Sequence, residues 1–278
     1  MPAVDALKVE KGGTVTISFP RLGDPKILAH AVSTRLGGTS RKVQGSLNLS
    51  YKVQDEAVRV DENRYLLSRA TGMDLSRAAW LEQVHSDKVV KLDASNRPVQ
   101  GGSLGSGDGL ITQETTGPIL ILVADCLPVL FFDPVHKAIG LAHAGWRGTV
   151  SHVAAKTLLA MGEAFGTKPE ETRAALGPAI GSCCYEVGED VQKEFEAIFP
   201  WHEQVLQRSS VSHWKLDLAE ANGVQIEAGC RAGNCGTCTI AIKAGSVEFL
   251  ADHHGAQMEE GSCLSCICRP KSDVVLDA

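Results

Sequence analysis

Between residues 119 and 142 the chain carries three apolar runs, Ile119–Ala124, Val129–Phe132 and Ala138–Ala142, each of strand length. Continuous runs of this kind read as strands buried on both faces. Elements placed around them then have to form covering layers. A helix is predicted from Glu56 to Thr71, with Val58, Tyr65, Leu66 and Arg69 at helical spacing and Gly72 as its stop. A second is predicted from about Thr149, where Val150, Val153, Ala154, Thr157, Leu158, Met161 and Phe165 form an apolar face. A third spans Glu189 to Phe199. Short strands broken by turn residues occupy Thr14 to Leu49, further strands are expected at Ala79–Val84 and Ala174–Leu176, and GGSLGSGDG at 101–109 reads as a glycine-rich loop. Strands alternating with helices, mixed with hairpin-like pairs, predict an α/β fold or α+β sandwich.

Composition bounds the function. Of 278 residues 44% are hydrophobic and 22% charged, enough for a sizeable core. A net charge of −6 with no Lys/Arg run argues against a nucleic-acid partner. No apolar stretch approaches a membrane span, and MPAVDALKVEKGG lacks the pattern of a signal peptide. A cytoplasmic location with no membrane partner is therefore expected. Nine cysteines in that compartment point to metal rather than disulfides.

Three donors fall at or near strand ends: His85 in EQVHSD, Cys126 in VADCLPV and His143 in GLAHAGW. Two imidazoles and a thiolate suit zinc, and three protein ligands leave a fourth position open, as catalytic zinc requires. The same set also describes blue copper, but no methionine lies near Cys126 or His143 in sequence to serve as the weak axial ligand. In AHAGWRGTV, Thr149 is an expected N-cap; the helix N-terminus and Arg147 together would form an anion cradle. The competing reading is a plain strand-to-helix turn with a solvated arginine.

STRLGGTS at 33–40, GSLNLS at 45–50, QVH at 83–85, DGLIT at 108–112, ADCLPVLFFDP at 124–134, AHAGWRGT at 142–149 and GPAIGSCCYEVG at 177–188 occur in order. Together they closely resemble the YfiH, or laccase-domain, family of bacterial purine nucleoside phosphorylases over roughly residues 14 to 220. The resemblance implies an α/β fold with zinc held by His85, Cys126 and His143. It also implies phosphorolysis of adenosine, inosine or methylthioadenosine, and adenosine deamination; an older name for the family is polyphenol oxidase. Phosphorolysis needs a held anion, which Arg147 would position; in deamination zinc would activate the water that attacks purine C6. Arg35 and Asn48 are candidates for ribose or phosphate binding. Asp108 and Asp125 are candidate acid–base or supporting groups, and strand alternation would point Asp125 away from Cys126 unless the chain turns. Cys183, Cys184 and Tyr185 are candidate pocket residues.

Past Trp214 the texture changes, and a boundary is expected near residue 215, dividing a catalytic unit (1–215) from a C-terminal segment (216–278) in which one short helix, Leu216–Asn222, is legible. Cys230, Cys235 and Cys238 in GCRAGNCGTC, followed by Cys266, match the ligand spacing of a plant-type 2Fe-2S cluster. The segment resembles the C-terminal part of a ferredoxin domain, incomplete because little room remains between Trp201 and Lys215 for the usual opening hairpin. Alternative functions are thus a metal-dependent polyphenol oxidase, or an electron-transfer protein with a redox partner for the cluster. No nicotinamide or flavin fingerprint accompanies it.

Overall fold

A computed structural model describes residues 6–222 and five further strand segments, Thr239–Ala244, Val247–Phe249, Ser262–Leu264, Cys268–Pro270 and Val275–Asp277. The expected iron–sulfur ligands Cys230, Cys235, Cys238 and Cys266 lie outside the described residues.

The chain opens with β1 (Leu7–Lys11), β2 (Thr14–Ser18) and β3 (Val32–Ser33), an antiparallel three-stranded sheet. Then comes α1 (Ala57–Thr71), which Gly72 ends in the left-handed conformation (φ 77°) that glycine adopts without steric cost. The face of α1 differs from the sequence expectation. Val58 and Tyr65 are 67% and 60% exposed, whereas Val60, Asn63 and Leu67 are buried. The stripe was masked because its central residue is polar. Asn63 donates to Ser40 Oγ (2.8 Å), Ser46 O (3.2 Å) and Asn48 O (2.8 Å) and accepts from Thr39 N (2.8 Å), clamping the 39–48 loop to the helix. Asn63→Ala is therefore expected to cost about 2–3 kcal/mol, the penalty of a few orphaned buried groups. Thermal unfolding should show it as a fall in Tm of roughly 5–10 °C.

Next in order are β4 (Ala79–Glu82), β5 (Val89–Leu92), β6 (Gly102–Ser106), β7 (Gly109–Thr112) and β8 (Ile119–Leu120). The expected loop at 101–109 is thus mostly strand: β6 pairs parallel with β4, and that tertiary pairing overrides a turn-like composition. Conversely, the run Ile119–Ala124 is a strand only at its first two residues. Beyond them the Gln83 side chain takes over the ladder, donating to Leu122 O (2.6 Å) and accepting from Leu122 N (2.8 Å).

The centre is built by β9 (Leu127–Asp133) and β10 (Ala138–Ala144), then α2 (Trp146–Val150), α3 (Val153–Phe165) and β11 (Arg173–Leu176). The main sheet has the order β11-β9-β10-β7-β5, antiparallel except for the β7/β5 pair. Every residue of β9 is buried. Leu127, Val129 and Phe131 join a cluster with Ile111, Met161 and Phe195, while Leu130 and Phe132 join Phe19, Leu22 and Ala175 on the opposite face. Period-two alternation across a sheet covered on both sides explains the unbroken apolar run. Full burial of each such side chain contributes about 1.5–3 kcal/mol.

One predicted helix is two. The chain breaks at Ser151–His152, with His152 at φ 60°, so Thr149 is not an N-cap: it lies inside α2 and accepts from Asn222 Nδ2 (3.0 Å). The expected cradle at the start of one long helix is therefore absent, and α2 spans five residues.

Residues 6–222 end with β12 (Glu186–Gly188), α4 (Glu189–Ile198), α5 (His202–Val205), β13 (Leu206–Arg208), β14 (His213–Leu216) and α6 (Leu218–Ala221). Since β14 runs through residue 215, and Leu216, Leu218 and Ala221 are buried in the first cluster, residues 216–222 share the core of the strands before them. Residues 6–222 form a layered α/β sandwich. No described helix is long and apolar enough to cross a membrane.

Candidate metal centre

The centre is organised by a carboxylate. Asp108 sits just before β7 and is fully buried. Its Oδ1 accepts from His143 Nδ1 (2.9 Å) and His85 N (3.1 Å), and its Oδ2 from Ser86 N (2.6 Å), Ser86 Oγ (2.8 Å) and Val84 N (3.2 Å). Three successive backbone N–H groups thus converge on one side chain. That convergence holds His85 at φ 58°, a left-handed conformation an L-residue keeps only when its surroundings fix it. Burial pushes the Asp108 carboxyl upward, but the bonds from His143, Ser86 and Val84 outweigh it and leave the group below its ordinary range.

His143 comes from the buried end of β10, and His85 from the loop after β4. Cys126 lies in a bend just before β9. One donor atom of each lies within 4.8 Å of those of the other two. Cys126 Sγ is 4.0 Å from His85 Nε2, and the two imidazole rings meet edge to face at 5.0 Å between centroids. With Nδ1 of His143 engaged by Asp108, its Nε2 is left for a metal, the usual carboxylate–histidine arrangement around zinc. Burial lowers the His143 pKa below 6.5 against the upward pull of Asp108, favouring the neutral, ligating form. Burial, reinforced by the charges of Asp125 and Asp108, pushes the Cys126 thiol up, a repulsion that a bound cation would reverse.

The cluster opens on a cavity of about 250 Å³ lined by His85, Asp125, Cys126, Trp146, Arg147, Ile180, Tyr185 and Leu218. The chain does turn at Asp125, so this side chain shares the cavity with Cys126 instead of lying behind it. Arg147 reaches it from α2, its guanidinium stacked 4.2 Å over the Trp146 ring. The wall at 180–185 is tied in place by Ile180 N donating to Asp125 O (2.8 Å). Burial keeps Tyr185 a phenol, with the nearby Cys126 adding to the upward shift.

Arg35 and Asn48 are not among these lining residues. Arg35 is exposed and donates to Gly45 O (2.8 Å) and Val43 O (3.1 Å). Asn48 donates to Ser50 O (3.0 Å) and Asp55 Oδ2 (2.9 Å). Cys183 and Cys184 are exposed and do not line the cavity either. Gln83, Ser86 and Trp146 carry parts that motif reading missed. Only their place inside QVH-S and GWRG marked them. A depression of about 310 Å³ beside α3, lined by Val89, Lys91, Ile111, Ala160, Glu163 and Ala164, brings no histidine or cysteine together.

Gly145 is required by space. A Cβ there would lie 2.8 Å from Cys126 Sγ and 3.1 Å from His85 Cδ2, while its φ of −73° suits any residue. Gly145→Ala should therefore leave the fold intact and push the sulfur or the ring aside. Metal content after dialysis is expected to fall by roughly tenfold or more, as for other perturbed supporting residues. Gly181→Ala, whose Cβ would meet nothing closer than 3.8 Å, should retain metal.

A family model described as multi-copper polyphenol oxidoreductase laccase matches residues 29–252, past residue 215 and through Cys230, Cys235 and Cys238. The chain is 40% identical to a purine nucleoside phosphorylase of Deinococcus radiodurans over 211 residues, 75% of this chain and 78% of that protein. It is 38% identical to the purine nucleoside phosphorylase YfiH of Escherichia coli over 184 residues, 64% and 70% of the two chains. Among solved structures, the Bacillus licheniformis hypothetical protein YfiH superimposes with a TM-score of 0.69 at 30% identity, covering 77% of this chain and 80% of that one.

Proposed function

Because the chain belongs to the laccase-domain family, described as multi-copper polyphenol oxidoreductase laccase, we propose that its cavity is that of a zinc-dependent purine nucleoside phosphorylase with adenosine deaminase activity. One observation carries this reading: two imidazoles and a thiol converge within 4.8 Å on a cavity that also holds a guanidinium. The names of its relatives support the substrate class.

The donor set fits zinc. His143 presents a free nitrogen fixed by Asp108, His85 is held by the same carboxylate, and Cys126 supplies sulfur. Among the described residues no methionine lines the cavity, and Met161 is wholly buried in the core, so the axial ligand of a blue-copper centre is lacking. Bound by these three residues, zinc would supply a Lewis acid with an open coordination position.

The protein's own groups do the remaining work. Phosphorolysis forms a bond from a phosphate oxygen to the ribose C1′ and breaks the bond to the purine, which leaves with the electron pair and takes a proton. Arg147, braced on Trp146, binds the phosphate dianion. Tyr185 offers an O–H donor to the departing base, and Asp125 accepts from ribose hydroxyls. Trp146, Ile180 and Leu218 form the apolar wall for the purine ring. Asp108 acts through His143 and His85, and Arg35 and Asn48 order the loop in which they lie. Adenosine, inosine and methylthioadenosine are the expected substrates.

The test is phosphate-dependent release of base from inosine, before and after chelator treatment and again after zinc is restored. Release that needs no phosphate, or that survives complete removal of metal, would sink the reading. Arg147→Ala should raise the KM for phosphate by about tenfold or more, the loss of a charge-assisted bond, with a smaller change in KM for the nucleoside.

An oxidoreductase reading is favoured by the family's description alone; one His/Cys metal group, not several, is present among the described residues. The spacing of Cys230, Cys235, Cys238 and Cys266 supports a 2Fe-2S cluster, with an electron-transfer partner, in the C-terminal segment. Visible absorption that dithionite bleaches would support the cluster, and colourless, iron-free protein would remove it.

A further inference from the structure

Cys183 and Cys184 are consecutive, both exposed, and their sulfurs lie 3.2 Å apart. They project from a turn in which Cys184 N and Tyr185 N both donate to Gly181 O, at 3.0 and 2.9 Å. The turn is pinned on its inner side. Ser182 is buried and donates to Asp217 Oδ2 (3.3 Å), Leu216 N donates to Tyr185 O (2.9 Å), and Ile180 N donates to Asp125 O (2.8 Å). Ile180 and Tyr185, which bracket the thiol pair, line the cavity. Two thiols thus face solvent on a short segment whose two ends are cavity wall.

We propose that Cys183 and Cys184 are a redox modification site, closed to a vicinal disulfide by low-molecular-weight disulfides, and that closure shifts the cavity wall. In the first step one cysteine thiolate attacks the small disulfide, forming a mixed disulfide and expelling one small thiol. The neighbouring thiolate then attacks the protein sulfur of that bond and expels the second. Two protein thiols are oxidised by two electrons, one small disulfide is reduced, and the two protons leave on the two small thiols. Consecutive Cα atoms are about 3.8 Å apart, shorter than the roughly 4.4–6.8 Å of ordinary disulfides. Closure must therefore distort the intervening backbone, which makes the bond easily reduced and transmits the change to Tyr185.

Trypsin releases residues 174–193 as one peptide that holds Cys183 and Cys184 and no other cysteine, while Cys126 falls in another. The full chain, incubated with oxidised glutathione, alkylated and digested, is expected to yield this peptide two hydrogens light and unalkylated. Dithiothreitol should restore the alkylatable pair. In Cys184→Ser the peptide should stay open, with Cys183 alkylated or carrying a single glutathione. Wild-type base release should fall roughly tenfold on oxidation, within the ~10²-fold that an ångström-scale misplacement costs, and Cys184→Ser should not respond. A peptide that stays doubly alkylated or carries two glutathiones overturns the site. Closure with unchanged base release, or equal loss in Cys184→Ser, overturns its coupling to the cavity. The mass readout stands whatever substrate the cavity takes.

Discussion

A His85→Ala protein is expected to fold normally, lose its metal and release base from inosine only at background rate. The loop around His85 is held by Asp108 through the backbone N–H groups of Val84, His85 and Ser86, none of which alanine removes. The imidazole itself is exposed and contributes nothing to the core. Histidine and alanine both bear the cost of the left-handed backbone, so stability should change by less than about 1 kcal/mol. What disappears is one of the three donors proposed to hold the metal. Loss of a residue that merely supports a ligand weakens metal affinity by about 10–100-fold, so loss of the ligand itself should exceed that. Metal analysis after dialysis, circular dichroism and the phosphorolysis assay together check the prediction. Full activity in His85→Ala would remove this residue from the metal set.

The two middle strands were legible because β9 and β10 are covered on both faces, which turns a structural fact into an uninterrupted apolar string. The end of α1 was legible because left-handed backbone favours glycine, and Gly72 is there. Other elements were hidden by the same physics acting at a distance. β6 consists of Gly and Ser with a single Leu, and is a strand because β4 pairs with it. The side chain of Gln83 replaces the later part of the strand that the apolar run at 119–124 predicts. The buried stripe of α1 passes through Asn63, a residue any hydropathy pattern counts as surface.

At the site, His85, Cys126 and His143 were marked by their place in the motifs QVH, ADC and AHAG rather than by spacing, and the structure brings one donor atom of each within 4.8 Å of the other two. The direction of each remaining side chain was not legible, because it depends on turns rather than on residue type. Alternation pointed Asp125 away from Cys126, and a bend before β9 puts both on the cavity. Arg147 was read at the start of a long helix. It sits instead on a five-residue helix, oriented by its stack on Trp146.

Asp108→Asn should be the most damaging conservative change in the described residues, because no orientation of an amide can replace this carboxylate. Oδ1 accepts from His143 Nδ1 and His85 N; Oδ2 accepts from Val84 N, Ser86 N and Ser86 Oγ. If Oδ2 becomes NH2, three donors face a donor in a site closed to water; if Oδ1 does, His85 N–H faces one, and His143 escapes only by moving its proton to Nε2, the nitrogen a metal needs. Hydrogen bonds to a charged acceptor are each worth about 1.5–3 kcal/mol, and orphaned buried donors add to the loss. A destabilisation on the order of 3–5 kcal/mol follows, visible as a large drop in the denaturant midpoint at unchanged slope. The site should fail before the fold does. With the carboxylate gone, His143 loses the partner that fixes its ring, and His85 loses what holds its backbone, so metal affinity should fall beyond the ~10–100-fold typical of one supporting contact. Asp108→Glu keeps the charge but lengthens the arm inside a packed site, and should recover part of the stability without the metal. If Asp108→Asn instead unfolds at the wild-type midpoint and binds metal as tightly, then the loop and the imidazole are held by something other than this carboxylate.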